Sequence, residues 1–83
     1  MVNIPTLNEY RDMVRKAFLS ICKDYVTPMA KIEQYFNSAE AQELIEARYK
    51  TDIEQLKSDQ ITENVFRNGC VYSVANCLDL MME

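Results

Sequence analysis

Several residue types on which enzymes depend are rare or missing in this chain of 83 residues. It has no histidine, no tryptophan, one glycine and two prolines. Because histidine is the commonest general base, its absence excludes Ser-His and Cys-His activation of a nucleophile within the chain. With Gly69 as the only glycine, neither a glycine-rich phosphate loop nor a dinucleotide-binding fingerprint can form. The composition therefore excludes most hydrolase and nucleotide-binding schemes, and we expect no cofactor.

The three cysteines, Cys22, Cys70 and Cys77, do not match a disulfide or metal framework. No two are spaced as CxxC, and without histidine a structural zinc site is excluded. On a helix, Cys70 and Cys77 would lie ~10.5 Å apart, which is too far for a disulfide. We interpret the cysteines as free thiols that pack as small apolar residues, while a bridge from Cys22 to one of the others stays open. Free thiols indicate a cytoplasmic protein.

Targeting and charge patterns narrow the choice of partner. Residues 1–6 have no basic segment followed by an apolar run, so we expect no cleaved secretion signal. The apolar C-terminal segment is interrupted by Arg67, Asn76 and Asp79, which argues against a membrane span. The net charge is −4, and an acidic majority disfavours binding to nucleic-acid phosphates. We therefore expect neither a membrane nor a nucleic acid as the partner.

The scarcity of glycine and proline also leaves little material for tight hairpins, and no segment alternates β-branched and polar residues. The sequence predicts an all-α protein, a small four-helix bundle that forms a single domain. Thr6 and Glu9 fit a capping box that opens a first helix reaching about Tyr25. A short second helix follows, starting at Thr27 and Pro28.

The third helix and the turn after it are predicted from caps and from the direction of the apolar stripe. Asn37 and Glu40 are spaced as a second cap, and the helix can extend to Lys57. No glycine or proline separates it from the last helix, but the stripe changes direction by ~150° beyond residue 56. We therefore predict a turn near residue 59, where Ser58 or Asp59 caps the last helix.

The last helix is more apolar than a surface helix requires. Its apolar residues span an arc of roughly 160°, so we place it at the centre of the bundle or partly against another chain. The residues of this arc are Phe66, Cys70, Val71, Val74, Cys77, Leu78, Met81 and Met82. The polar side of the same helix carries Asn68, Asn76, Asp79 and Glu83. Along one edge, Gly69, Ser73 and Cys77 recur every four residues and allow a second helix to approach closely. This edge is either a homodimer interface or a tight crossing inside the monomer.

Acidic residues offer one enzymatic alternative. Glu40, Glu43 and Glu46 on the third helix, joined by Asp52, Glu63 or Asp79, are of the type that holds Mg²⁺ in helical nucleotide pyrophosphohydrolases. The series lacks a second pair that faces the first, and a solvated acidic start of a helix is the favoured interpretation. A DNA-binding regulator is a further alternative, based on the basic residues of the first helix, which are Arg11, Arg15, Lys16 and Lys23.

We predict a non-catalytic function: a small protein-interaction module that binds another protein and regulates or inhibits it. Tyr35, Phe36 and Tyr72 are the aromatic residues least explained by the core stripes, and we place the partner-binding surface there. In size, acidity and lack of catalytic residues the chain resembles small phage or mobile-element accessory proteins, including inhibitors of bacterial defence systems.

Overall fold

The computed structural model describes residues 4–22 and 28–82, in which it shows four helices and no strand. The predicted all-α bundle is therefore confirmed. The predicted end of the first helix at about Tyr25 and the predicted N-cap of the second, Thr27, lie outside the described residues. The second helix was predicted to extend from about Pro28 to Phe36; it ends at Phe36, but Pro28 is its N-cap and not its first residue. The helices are α1 (Leu7–Cys22), α2 (Met29–Phe36), α3 (Ala39–Lys57) and α4, which extends through residues 63–82.

Helix α4 changes its hydrogen-bonding pattern along its length. It begins with an α-helical turn at Glu63–Val65, continues as a π-helical segment at Phe66–Cys70 and ends as an α-helix at Val71–Met82. A π-helical segment closes hydrogen bonds from i to i+5, so it inserts about one residue into the α-helical phase. The face presented after residue 70 is therefore rotated relative to the face presented before it.

Side-chain caps begin α1 and α3. The Glu9 backbone N–H donates to Thr6 Oγ1 at 3.2 Å, and the Thr6 N–H donates to Glu9 Oε1 at 3.1 Å. This is the predicted capping box. Helix α3 begins after Ser38, whose hydroxyl accepts from the Ala41 N–H at 3.2 Å. The prediction of Asn37 as this cap was wrong by one residue, because Asn37 closes the end of α2.

Helix α3 ends without the glycine that usually terminates a helix. Asp59 adopts a left-handed backbone with φ of 58°. Its N–H donates to the Leu56 carbonyl at 3.2 Å, and the Gln60 N–H donates to the Gln55 carbonyl at 3.0 Å. These two hydrogen bonds form a Schellman motif, in which aspartate can replace glycine because it tolerates the left-handed region. The predicted turn therefore lies where the stripe changes direction.

The residue that caps α4 differs from the prediction. The Thr62 hydroxyl accepts a hydrogen bond from the Val65 N–H at 3.2 Å. Neither Ser58 nor Asp59 can serve as this cap, because Ser58 is the C-cap of α3 and Asp59 forms its left-handed turn. The cap therefore follows the turn instead of lying within it.

The core lies where α1 meets the other three helices. Its most extensive interface is between α1 and α4, and α4 also contacts α3. On the outer side, α1 and α2 are joined by an ion pair between Arg15 and Glu33. The buried apolar residues are Tyr10, Val14, Ala17, Phe18, Cys22, Ile32, Phe36, Ala41, Ile45, Ile53, Leu56, Phe66, Val71, Val74, Ala75 and Leu78.

The buried arc of α4 is rotated from its predicted position. Met81 was assigned to the arc and is 43% exposed, whereas Asp79 was assigned to the polar side and is only 9% exposed. Ala75 is fully buried, and Cys77 is half-buried. The rotation follows from the π-helical segment, because the predicted arc assumed α-helical spacing throughout.

Candidate functional site

The acidic residues predicted as alternative metal ligands do not converge. Glu40, Glu43 and Glu46 are exposed along α3, and Glu46 Oε1 pairs with Lys50 Nζ at 3.9 Å. Asp52 follows them on the same helix but is only 5% exposed. Within residues 4–22 and 28–82, no three His, Cys, Asp or Glu side chains lie close enough together to hold a metal ion.

Asp52 is the centre of a buried polar cluster that joins three helices. Its Oδ2 accepts a hydrogen bond from the Tyr10 hydroxyl of α1 at 2.8 Å. Cys70, in the π-helical segment of α4, lines the same cavity as Asp52, and the charge of the Asp52 carboxylate acts on its thiol. The Tyr10 ring packs against the rings of Tyr49 and Phe66, with centroids 5.3 and 5.6 Å away. The cluster therefore ties α1 and α3 to the π-helical segment.

The Tyr10 hydroxyl and the Cys70 thiol, which both lie near Asp52, are held in their protonated form. Burial, followed by the hydrogen bond to Asp52, raises the pKa of Tyr10. Burial, followed by the charge of Asp52, also raises the pKa of the Cys70 thiol, and Arg48 opposes this weakly. Because a thiol is nucleophilic only as the thiolate, Cys70 is suited to hydrogen bonding and not to attack on a substrate.

A second thiol and carboxylate meet between α1 and α4. The buried Cys22 Sγ donates to Asp79 Oδ1 at 3.6 Å. Burial, followed by this hydrogen bond, raises the pKa of Cys22 to about 11. All three cysteines are free, as predicted. Cys22, however, does more than pack as an apolar residue, because its thiol donates to a buried carboxylate.

A shallow groove lies between α3 and α4 beside the π-helical segment. Its cavity volume is about 250 Å³. Asp52 lines it but already accepts a hydrogen bond from Tyr10. The groove is therefore a depression of the surface next to a structural cluster. Its lining residues are Arg48, Thr51, Asp52, Gln55, Val65, Gly69, Cys70 and Ser73.

The three aromatic residues predicted to bind a partner differ in exposure. Phe36 is only 7% exposed, and its ring lies 6.5 Å from that of Phe18 in the core. Tyr35 is half-buried, and its ring centroid lies 6.4 Å from that of Phe18. Tyr72 is 40% exposed. Phe36 is therefore a core residue, which corrects its assignment to a contact surface, and Tyr72 alone of the three is well exposed.

The small-residue edge of α4 is not used for a tight crossing inside the monomer at Gly69. Gly69 and Ser73 are exposed, and Cys77 is half-buried. A Cβ added at Gly69 would lie 3.5 Å from Val65 Cγ1 of the same helix, with no other described helix within 4 Å. Packing among the described residues therefore does not require glycine at this position.

The part of α4 that follows Arg67 has no exposed charge. From Asn68 to Met82 the only charged residue is Asp79, and it is buried. By contrast, the outward sides of α1 and α3 carry ion pairs such as Asp12 with Lys16 at 3.0 Å. We call the outward residues Gly69, Tyr72, Ser73, Asn76 and Leu80 the α4 face; all five are exposed.

The α4 face is the best candidate for a functional surface. Leu80 is 70% exposed, the highest exposure among the large apolar residues that the structure describes. Charged residues make up ~25–35% of an ordinary surface and are depleted at the centre of an interface, where aromatic residues are enriched. Sequence reasoning missed Leu80, although the absence of charge from Asn68 to Leu78 is visible in the sequence.

Comparison with known proteins leaves the function to be argued from this geometry. No protein-family model matches the chain, and no curated protein or solved structure is significantly similar to it. Among the described residues, no helix combines the length and apolar character needed to cross a membrane.

Proposed function

We propose that this chain is a non-catalytic protein-interaction module whose α4 face binds another protein and regulates or inhibits it. The observation that supports the proposal is an exposed helix face without charge, on which Leu80 and Tyr72 offer apolar and aromatic contact area. Such a face is characteristic of the centre of a protein interface, because burial there removes apolar surface from water without stripping water from a charge.

The two alternative functions find less support in the geometry. Glu40 and Glu43 are exposed on α3, and among the described residues no group of three or more His, Cys, Asp or Glu side chains could hold a metal ion. On α1, Arg15 pairs with Glu33 and Lys16 with Asp12, which reduces the positive charge available to phosphates. The observations therefore favour protein binding over nucleotide processing or DNA binding.

Regulation through this face would act by occlusion. A helix face inserts its large side chains into a groove of the partner and covers the surface there. Leu80 and Tyr72 would be the anchors, and Asn76 would form hydrogen bonds between them. We further propose that the protein acts in the cytoplasm, which is consistent with three free thiols, as an accessory protein of a phage or mobile element.

The test uses the tagged chain as bait in extracts of its source cells and compares three baits. Leu80→Glu places a charge on the α4 face at its most exposed apolar residue. Met29→Glu is the matched control, because Met29 is an equally clear exposed apolar residue but lies on α2. We expect one protein, near equal stoichiometry, on the wild-type and Met29→Glu baits, with at least ~30-fold weaker binding to Leu80→Glu, as expected for an anchor residue.

Two results would contradict the proposal. One is equal recovery of the same protein on the Leu80→Glu bait, which would place the contact elsewhere. The other is recovery of the bait alone under all conditions. Circular dichroism of each variant verifies that loss of binding does not reflect unfolding, which we do not expect because both positions are exposed.

A further inference from the structure

The α4 face is graded in size along the helix. Gly69 and Ser73 lie at its N-terminal end and Leu80 at its C-terminal end, with ~16 Å of helix between Gly69 and Leu80. If a second α4 lies antiparallel on this face, each Leu80 meets the small residues of the other copy. A parallel arrangement would instead place Leu80 against Leu80 and leave a gap between the two glycines. The face is therefore self-complementary in one orientation only.

Gly69 supports an approach from outside the chain. Glycine is unfavourable inside a helix relative to alanine, and close packing is the usual reason for its presence. Apart from the backbone of its own helix, the only atom of the described residues within 4 Å of an added Cβ is Val65 Cγ1, at 3.5 Å on the same helix. A side chain of a second molecule that packs over Gly69 would supply the missing reason, and Leu80 of an antiparallel copy is placed to do so.

The charge distribution also favours self-association through this face. Each copy carries a net charge of −4, so two copies repel one another over most of their surface. In a two-fold interface, a residue near the axis also meets its own counterpart, so any charge there would face the same charge. The α4 face contains no charge, and Asp79 beside it is buried. It is therefore a part of this acidic surface on which a second copy can dock without such repulsion.

We propose that a second copy of this chain covers the α4 face, forming an antiparallel pair of α4 helices about a two-fold axis between residues 74 and 75. Leu80 of each copy packs over Gly69 of the other, and Ser73 lies opposite Asn76, so that the hydroxyl and the amide can form two equivalent hydrogen bonds. The inference shares its surface with the proposed function: the regulated protein and the second copy compete for the same face.

The pair is weak and reversible. Helix α4 extends over ~30 Å, and one face of one helix covers less than the ~800 Å² per partner of a standard stable interface. Dissociation in the micromolar range follows, which leaves the face accessible to a target that binds it more tightly. Self-association therefore covers the apolar residues of the α4 face until a target binds there.

The test is a sedimentation equilibrium series from low micromolar to several hundred micromolar protein. Gly69→Leu and Leu80→Ala are each expected to raise the dimer dissociation constant at least ~10-fold, the first by a clash and the second by loss of the contact over Gly69. The double variant Gly69→Leu/Leu80→Ala exchanges the large and the small residue, so it should return to within ~3-fold of the wild type. Only antiparallel pairing predicts this recovery.

Three outcomes would overturn the inference: a wild-type monomer at every concentration, a dimer unaffected by either single variant, or a double variant no better than the worse single one. Leu80→Glu, an exposed substitution, provides a folded monomer for reference, verified by circular dichroism. A monomeric wild type that still loses its captured protein on Leu80→Glu would refute the dimer and leave the proposed function standing. A dimer with the expected recovery but without any captured protein would do the reverse.

Discussion

Replacing Tyr10 with phenylalanine removes one hydroxyl from the most buried polar cluster of the protein. Tyr10 is fully buried, and its hydroxyl donates to Asp52 Oδ2 at 2.8 Å. Hydrogen bonds to charged groups contribute ~1.5–3 kcal/mol, compared with ~0.5–1.5 kcal/mol for neutral pairs. Because the carboxylate is left buried with one donor fewer, we expect Tyr10→Phe to lower the free energy of unfolding by ~1.5–3 kcal/mol.

Tyr49 provides a matched control in the same region. Its ring centroid lies 5.3 Å from that of Tyr10, and its hydroxyl donates at 2.7 Å to the neutral backbone carbonyl of Pro5. Tyr49→Phe should therefore cost only ~0.5–1.5 kcal/mol. Urea unfolding followed by far-ultraviolet circular dichroism at neutral pH measures both losses. In thermal unfolding, each 1 kcal/mol corresponds to a Tm decrease of ~4–8 °C for a domain of this size.

The charge of Asp52 is the cause to be tested. In an Asp52→Asn background the acceptor remains but its charge is gone, so the cost of Tyr10→Phe should fall to that of a neutral pair, ~0.5–1.5 kcal/mol. Equal losses for Tyr10→Phe and Tyr49→Phe in the wild-type background would refute the argument. So would a Tyr10→Phe cost that is unchanged when Asp52 becomes Asn.

Three further predictions follow from burial, titration and capping. Phe36→Ala should cost ~3–5 kcal/mol as a truncation in the core, whereas Tyr72→Ala should stay within ~0.5 kcal/mol as a surface change; thermal unfolding of the two variants distinguishes them. The pKa of Cys22 is raised from 9.0 to about 11 in the folded protein, so the stability that the thiol contributes is complete below pH 9 and is lost as the pH rises towards 11. Measured by urea unfolding, the free energy of unfolding of Cys22→Ala should therefore fall less steeply between pH 9 and 11 than that of the wild type. An equal fall in the two proteins would refute the assignment. Thr62→Ala should lower the free energy of unfolding by ~0.5–2 kcal/mol by removing the cap of α4, and a neutral effect in the same assay would contradict that role.

Local signals in the sequence predicted the helices well because caps and turns depend on residues a few positions apart. Thr6 and Glu9 form the capping box that their spacing indicated, and the turn between α3 and α4 lies where the apolar stripe changes direction. The errors were small: Ser38 caps α3 in place of Asn37, and Thr62 caps α4. In each case the neighbouring polar residue was already engaged in ending the preceding helix.

The candidate surface was predicted only in part. The sequence identified Gly69, Ser73 and Tyr72 on the last helix, and all three are exposed. It also assigned Phe36 to a contact surface, although Phe36 packs near Phe18 in the core. Exposure could not be deduced for such residues, because it depends on which other helix lies against them and not on their own helix.

By itself, the sequence determined the all-α class, the positions at which most helices begin and end, and the absence of charge from Asn68 to Leu78. These features follow from short-range hydrogen bonding and composition. Only the tertiary structure decided that Asp52 and Asp79 are buried, because a carboxylate enters a core only where donors such as Tyr10 and Cys22 on another helix reach it. It also decided the rotation of α4, since a π-helical segment leaves no mark in a pattern analysed with α-helical spacing.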